Sequence, residues 1–305
     1  MQRFIIRRLF QGVAVVFGVS LVTFGLLFAT GDPAALLLPV DATIEDHARL
    51  REQMGLDDPL IVQYGRFLAG AVVGDFGKSV RSSEPALGLV IERLPATFEL
   101  SVTAMVIAIA IAVPAGLIAA AWRGTIVDQA AMFVALLGQS IPSFWLGIML
   151  LLFFSVQLEL LPPFGRGGWE NLILPSVTLA MYSMARTARL VRSGLIDVLG
   201  QDYIRTARAK GLTEALILRR HALRNALLPV VTVLGLDLAH MVGGAIIVET
   251  IFAWPGIGRL AVTSIGARDY PVVQAAVFLV AVAYTVVNVL VDVLYAYLNP
   301  RVRFS

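Results

Sequence analysis

Six stretches of the 305-residue chain are predominantly apolar over long runs: residues 9–29, 97–121, 130–157, 172–191, 227–251 and 273–297. Each approaches or exceeds the roughly 20 residues that a helix needs to cross a bilayer. Polar and charged positions gather between them. The pattern predicts an all-α polytopic membrane protein with six transmembrane helices. Pro142 lies inside the third stretch and Pro175 near the start of the fourth. Membrane helices tolerate such prolines and often kink at them. The chain then divides into a cytosolic N-terminus with the first span (1–30), an extracytoplasmic loop (31–96), a five-helix core (97–300) and a cytosolic tail (301–305).

The polar segment 193–226 breaks this rhythm. Within Gln201 to Leu212, the residues Ile204, Ala207 and Gly211 fall at i, i+3 and i+7, on one helical face. A second helix is expected from Glu214 to about Asn225, with Pro229 near the start of the fifth span. A small-residue face lets another protein approach the backbone, so the segment reads as a docking handle for a soluble partner. Its basic residues also suit anionic lipid, at about 1 kcal/mol per Lys or Arg. The residues alone leave both readings open.

In the loop 31–96, Asp58-Pro59 is a helix start: an N-cap, then proline at the first helical position. Ile61, Tyr64, Leu68 and Ala71 follow as an apolar stripe. It either packs on its own transmembrane neighbours or covers the outer mouth of a pore.

Composition narrows the class. Hydrophobic residues are 58% of the chain, charged residues 15%, and the mean hydropathy is +0.82. Soluble domains carry roughly 25% charge, so an ordinary soluble protein is excluded. With no cysteine and three scattered histidines, disulfides and thiolate metal sites are excluded and a histidine metal site is disfavoured. Arg3, Arg7 and Arg8 precede an apolar run about twice the length of a secretory signal core, which reads as a retained first helix. Placing the N-terminus in the cytosol puts 15 of the 24 Lys and Arg in short inside segments, and the outer loop is net acidic. Both termini are therefore expected inside.

Gly74 to Ser79 superficially suits a phosphate loop, but Val72 stands where that motif needs glycine. Any ATP must be bound by a partner. Intramembrane polar residues mark functional candidates. Asp237 and His240 are i, i+3 on the fifth span, with Gly244 nearly above Asp237. Asp237 sits about 15 Å along from Leu227. The pair either lines a polar path or fixes helix packing. Phe144 and Trp145, beside Pro142, likewise either line the path or pack. Glu249 and Asp292 read as structural. Ala104, Ala108 and Ala112 form a small-xxx-small series suited to close helix contact.

Several motifs occur together in order: Gly31-Asp32-Pro33, Leu56-Asp57-Asp58-Pro59, Gly74-Asp75-Phe76-Gly77, Glu92 to Thr97, Pro142 to Gly147, Asp202 to Leu212, Arg220 to Pro229, Glu249 to Gly256 and Asp292 to Arg301. In these the chain resembles the first membrane subunit of ABC importers for dipeptides, oligopeptides and nickel, nearly end to end. Arg205-Thr206-Ala207 stands where the general importer pattern has Glu-Ala-Ala, and Pro229 lies 18 residues past Gly211. Both departures match the peptide branch.

The resemblance implies a type I importer permease in the bacterial inner membrane, itself non-catalytic and binding no cofactor. Its expected partners are a homologous second permease, two ATP-binding subunits or a fused pair holding ATP and Mg, an external substrate-binding protein and membrane lipid, with no nucleic acid. Tyr203, Ile204, Arg205, Ala207, Lys210 and Gly211 become the expected ATPase-coupling residues. Asp237, His240, Gly244, Phe144 and Trp145 become the candidate translocation path. The implied substrate is a di- or oligopeptide, with nickel complexes and glutathione-like compounds in the same family. An ion-driven transporter would need an internal repeat with paired broken helices, and none is evident. A hydrolase would need a nucleophile near His240, and no Ser or Cys neighbours it in sequence.

Overall fold

The computed structural model describes residues 2–29, 38, 43–53 and 55–298. Gly31-Asp32-Pro33 and the tail 301–305 lie outside the described residues. The regular structure described is helical, apart from one isolated bridge between Lys78 and Pro85. The helices are α1 (Gln2–Ala29), α2 (Ile44–Gln53), α3 (Leu60–Val73), α4 (Ala86–Ala121), α5 (Ile126–Ser140) and α6 (Ser143–Leu150). They continue with α7 (Glu170–Leu199), α8 (Asp202–Ala209), α9 (Leu223–Gly244), α10 (Ile246–Ile251), α11 (Ile257–Gly266) and α12 (Tyr270–Leu298). A π-helical stretch, Leu151–Gln157, extends α6, and another, Ile217–Ala222, leads into α9.

Four helical segments are long and apolar enough to cross a membrane alone: Ile6–Gly25, Ala86–Ala121, Glu214–Gly243 and Tyr270–Val293. The expected span 130–157 is not one rod. It is two helical pieces, Ile126–Ser140 and Ser143–Gln157, bent by 104°. Pro142 causes the break: it has no N–H to continue a ladder and disfavours helical backbone at Ile141 before it. Both residues are extended, with ψ of 124° and 134°. Taken as one span, the pair makes a fifth.

The stretch expected at 172–191 is the interior of α7. This 30-residue helix runs on past the expected boundary to Leu199. Its buried face carries Ser176, Thr178, Ser183 and Thr187, which makes it less apolar than its neighbours. It packs along α4 and also touches α5, α6 and α9. The face of α4 against which the bundle closes is built from small side chains. Ala104, Ala108 and Ala112 are wholly buried, and the four-residue series continues through Gly116 and Ala120. At Gly116 an added Cβ would lie 2.6 Å from the Ala188 carbonyl oxygen of α7, so glycine is required for this approach.

Helix α4 starts at Ala86, well before the expected boundary at 97, with Pro95 inside it. In α3 the cap is Pro59 rather than Asp58, whose carboxylate instead holds Arg66. Tyr64 is buried, shares a 2.8 Å hydrogen bond with Ser20 of α1, and stacks among Phe17, Phe24 and Phe67. Of that stripe, Tyr64 and Ala71 are buried and Leu68 partly so, whereas Ile61 is 76% exposed and does not pack. Arg8 and Asp292 pair at 3.0 Å, tying α1 to α12.

Beside Thr97 of α4, Glu249 of α10 is fully buried. Its carboxylate accepts the Thr97 hydroxyl at 2.6 Å and the Arg259 N–H at 3.0 Å, capping α11 from a distance. The Trp254 indole donates to the Ala96 carbonyl at 2.8 Å. Towards the C-terminal end of α4, Ala120 joins the cluster that seats α8. Ala96 and Ala120 of α4 are about 36 Å apart at 1.5 Å per residue.

Candidate functional site

Helix α8 forms where expected, and its face does not point where expected. Ile204 is 0% exposed and Ala207 7%. They pack with Ala120, Leu195, Ile217, Ala222 and Ala226 of the same chain. The expectation that this face receives a partner is therefore corrected. An eight-residue helix has too little apolar surface to hold itself, so its single apolar face is spent on docking to the bundle. What the chain presents outward is the opposite side: Tyr203, Arg205 and Lys210, with Gly211 beyond the helix end. Gly211 has φ of +77°, and a Cβ there would meet nothing within 4 Å. It is needed for the left-handed turn that ends α8, and its surroundings are open.

The turn is braced. Arg208 grips Glu214 across it, at 2.6 and 3.2 Å, and this hydrogen-bonded carboxylate raises the Arg208 pKa above its ordinary value. The Tyr203 hydroxyl accepts from the Asn225 side chain at 2.9 Å, joining α8 to α9.

The second site is a cavity of about 560 Å³ among α5, α6, α7, α9 and α10. Asp237 and His240 both line it, so the structure brings these two together. They are not hydrogen-bonded to each other. Asp237, 4% exposed, accepts from the Ser183 hydroxyl at 2.6 Å and from Arg186 at 3.1 Å. The His240 ring sits edge-on to Tyr284, with centroids 5.9 Å apart. Gly244 is the last residue of α9. Phe144 and Trp145 do not line the cavity; both are about half exposed on the surface of α6. Their neighbours Pro142, Ser143 and Leu146 form that wall.

Arg186, Arg189 and Arg192 are three of the 15 inside Lys and Arg residues counted in setting the orientation. Their i, i+3, i+6 spacing puts three guanidinium groups along α7. Arg186 reaches Asp237 of α9, Arg189 reaches Gln139 of α5, and Arg192 grips Asp128 of α5 at 2.5 and 2.7 Å. The signal available was three arginines at helical spacing beside acidic residues in facing apolar stretches. No group of His, Asp or Glu that could hold a metal occurs among the described residues.

Residues 112–304 match the family described as "Binding-protein-dependent transport system inner membrane component", and residues 1–103 match the N-terminal family of the same components. The chain belongs to this family. It is an ABC importer permease, a non-catalytic, multi-pass membrane subunit. It is similar to the glutathione transport system permease protein GsiC of Escherichia coli strain K12 and of Shigella dysenteriae serotype 1. Each is 42% identical over 306 residues, covering 100% of both chains.

Two solved transporters share the permease fold at low identity. The inward-facing MetNI methionine ABC transporter, in its native crystal form, matches with a TM-score of 0.58 and 21% identity. It covers 71% of this chain and 99% of that one. An amino acid ABC transporter with histidines matches with a TM-score of 0.52 and 21% identity, covering 70% and 94%. Membership of the permease family implies a companion permease and ATPase subunits.

Proposed function

We propose that this permease carries short peptides of the glutathione class into the bacterial cell, as one of two homologous membrane subunits. The observation that supports the substrate class is the full-length similarity to glutathione permeases. The subunit contributes six spans, counting α7 and the bent α5–α6 pair, with both termini in the cytosol. Two ATP-binding subunits, separate or fused, hold ATP and Mg. An external binding protein delivers substrate to the outer loop and to the turn 253–272. The cavity holding Asp237 and His240 is this subunit's share of the passage.

Coupling runs through the outward side of α8. Tyr203, Arg205, Lys210 and Gly211 meet the ATPase, while Ile204 and Ala207 hold α8 to the bundle. ATP closure displaces α8, and with it α7 and α9. A ligand shifts such an equilibrium only by binding the two states unequally. ATP and the loaded binding protein act at opposite faces, so the permease carries the coupling between them.

The test is uptake of labelled glutathione into cells that lack their own glutathione importers and express this chain with its companion subunits. Accumulation that stops when ATP is depleted supports the assignment. Accumulation of nickel complexes without glutathione overturns the substrate class. Uptake that survives ATP depletion and fails with an uncoupler overturns the ATP-driven mechanism.

A further inference from the structure

Taking the cavity as the passage proposed above, we infer that Arg186 is a receptor for a substrate carboxylate, with Asp237 and Ser183 as its positioning residues.

The inference starts from what each polar group has left to give. A guanidinium carries five N–H donors in a rigid fork. Arg186 spends one of its nitrogens on Asp237, and no other hydrogen-bond partner is recorded for it among the described residues. Its side chain is 39% exposed, whereas that of Asp237 is 5% exposed. The carboxylate is thus the buried member and the guanidinium the more open one; Arg186 lines this cavity and also a neighbouring one beside Arg189 and Arg192. Both oxygens of Asp237 are engaged, one by Ser183 and one by Arg186. It has little left to offer a ligand. Its position instead fixes where Arg186 points.

The rest of the wall leans the same way. Gln139 accepts Arg189 on its Oε1, which leaves its amide N–H groups as the free end. Tyr182, Ser143 and His240 add groups able to donate. Asp237 is the sole carboxylate among the lining residues, and it is already engaged. The cavity therefore offers an open guanidinium edge and neutral groups able to donate, with no unengaged carboxylate among its described lining residues, which suits an anion. A carboxylate bound by the remaining N–H groups of Arg186 would make a charge-assisted, two-pronged contact. Arginine offers this geometry and lysine does not. The cavity volume of about 560 Å³ suits a small molecule rather than an ion alone. The ligand class is a short peptide bearing a free carboxylate, held reversibly on its way through.

The experiment uses the complete transporter, without the external binding protein, in lipid nanodiscs. Binding of glutathione is compared with binding of glutathione whose two carboxylates are converted to amides. The wild type is expected to bind glutathione at least about tenfold more tightly than the diamide. Arg186→Gln should remove that preference, and Arg186→Lys should recover only part of it. The double variant Arg186→Gln with Asp237→Asn avoids leaving a buried unpaired charge, and it should also show no preference. Equal binding of the two probes by wild type, or no binding of either, overturns the proposal. So does a preference that survives in the folded double variant. Uptake of glutathione by the same assembly with its binding protein is measured in parallel. If uptake proceeds and the preference is missing, the carboxylate receptor fails and the transport assignment stands. If uptake is absent, the transport assignment fails and the receptor falls with it.

Discussion

Thr97 and Glu249 lie 152 positions apart in the chain and share a buried hydrogen bond of 2.6 Å. The same threonine oxygen accepts the Ile257 N–H at 2.9 Å. One hydroxyl thus serves α10 and the first turn of α11 at once. Thr97→Val keeps the shape and removes both contacts. Leaving buried groups without partners costs on the order of 3 kcal/mol here. The detergent-solubilised subunit should therefore melt several degrees lower, and Thr97→Ser should restore much of the loss. Gly256→Ala should be worse, because its Cβ would sit 2.1 Å from the Glu249 carboxylate. Thermal unfolding followed by size-exclusion chromatography checks the order.

Gly211 and Ile204 should fail in different ways. Gly211→Trp meets open space and pays mainly for backbone strain, about 1–2 kcal/mol at its left-handed φ. The subunit should insert and fold, yet lose ATPase subunits on copurification and lose uptake. Ile204→Ala empties a fully buried site and should cost about 2–5 kcal/mol of stability. Normal uptake by the Gly211→Trp transporter would remove the outward side of α8 from the coupling surface.

Arg192 and Asp128 make a two-pronged pair, and the Gly124 N–H adds a third bond to the same carboxylate at 2.9 Å. Removing either side chain strands the other. Arg192→Leu and Asp128→Leu should each lower thermal stability. The double variant should lie closer to wild type than the two single losses added together. Additive losses would mean that the pair contributes nothing of its own.

Gly116 faces α7 backbone, which cannot swing away like a side chain. Gly116→Ala should destabilise by about 1–3 kcal/mol through overpacking, and Gly116→Leu should prevent a monodisperse subunit from forming. Replacing Gly18, where an added Cβ meets nothing within 4 Å, with Ala is the matched control and should change little.

The helical architecture and the place of α8 were legible because long apolar runs and turn residues announce themselves locally. Direction after a break was not. Pro142 signals a kink, but the 104° turn depends on where α6 finds its neighbours. Periodicity likewise identified the face shared by Ile204 and Ala207 without saying whether it meets this chain or another, since small residues suit either contact. Asp237 stood out as a charge in an apolar stretch. Its partner Arg186 lies 51 positions away and served equally well as an inside-facing marker. Phe144 and Trp145 were drawn into the path by proximity in sequence to Pro142. One turn of helix decides which side chains face the cavity, and Leu146 does so instead.

The inward-turned Ile204 has a mechanical consequence. Because α8 packs on Ile217–Ala222 and shares one buried cluster with Ala120 of α4, Leu195 of α7 and Ala226 of α9, it is held to the bundle rather than hung from one loose loop. A shove from below cannot be absorbed by a loose joint. Under the proposed coupling, a push on α8 would reach α4, whose Ala96 and Thr97 hold Trp254 and Glu249, so stroke at one site and rearrangement at the other would be geared by the same rod.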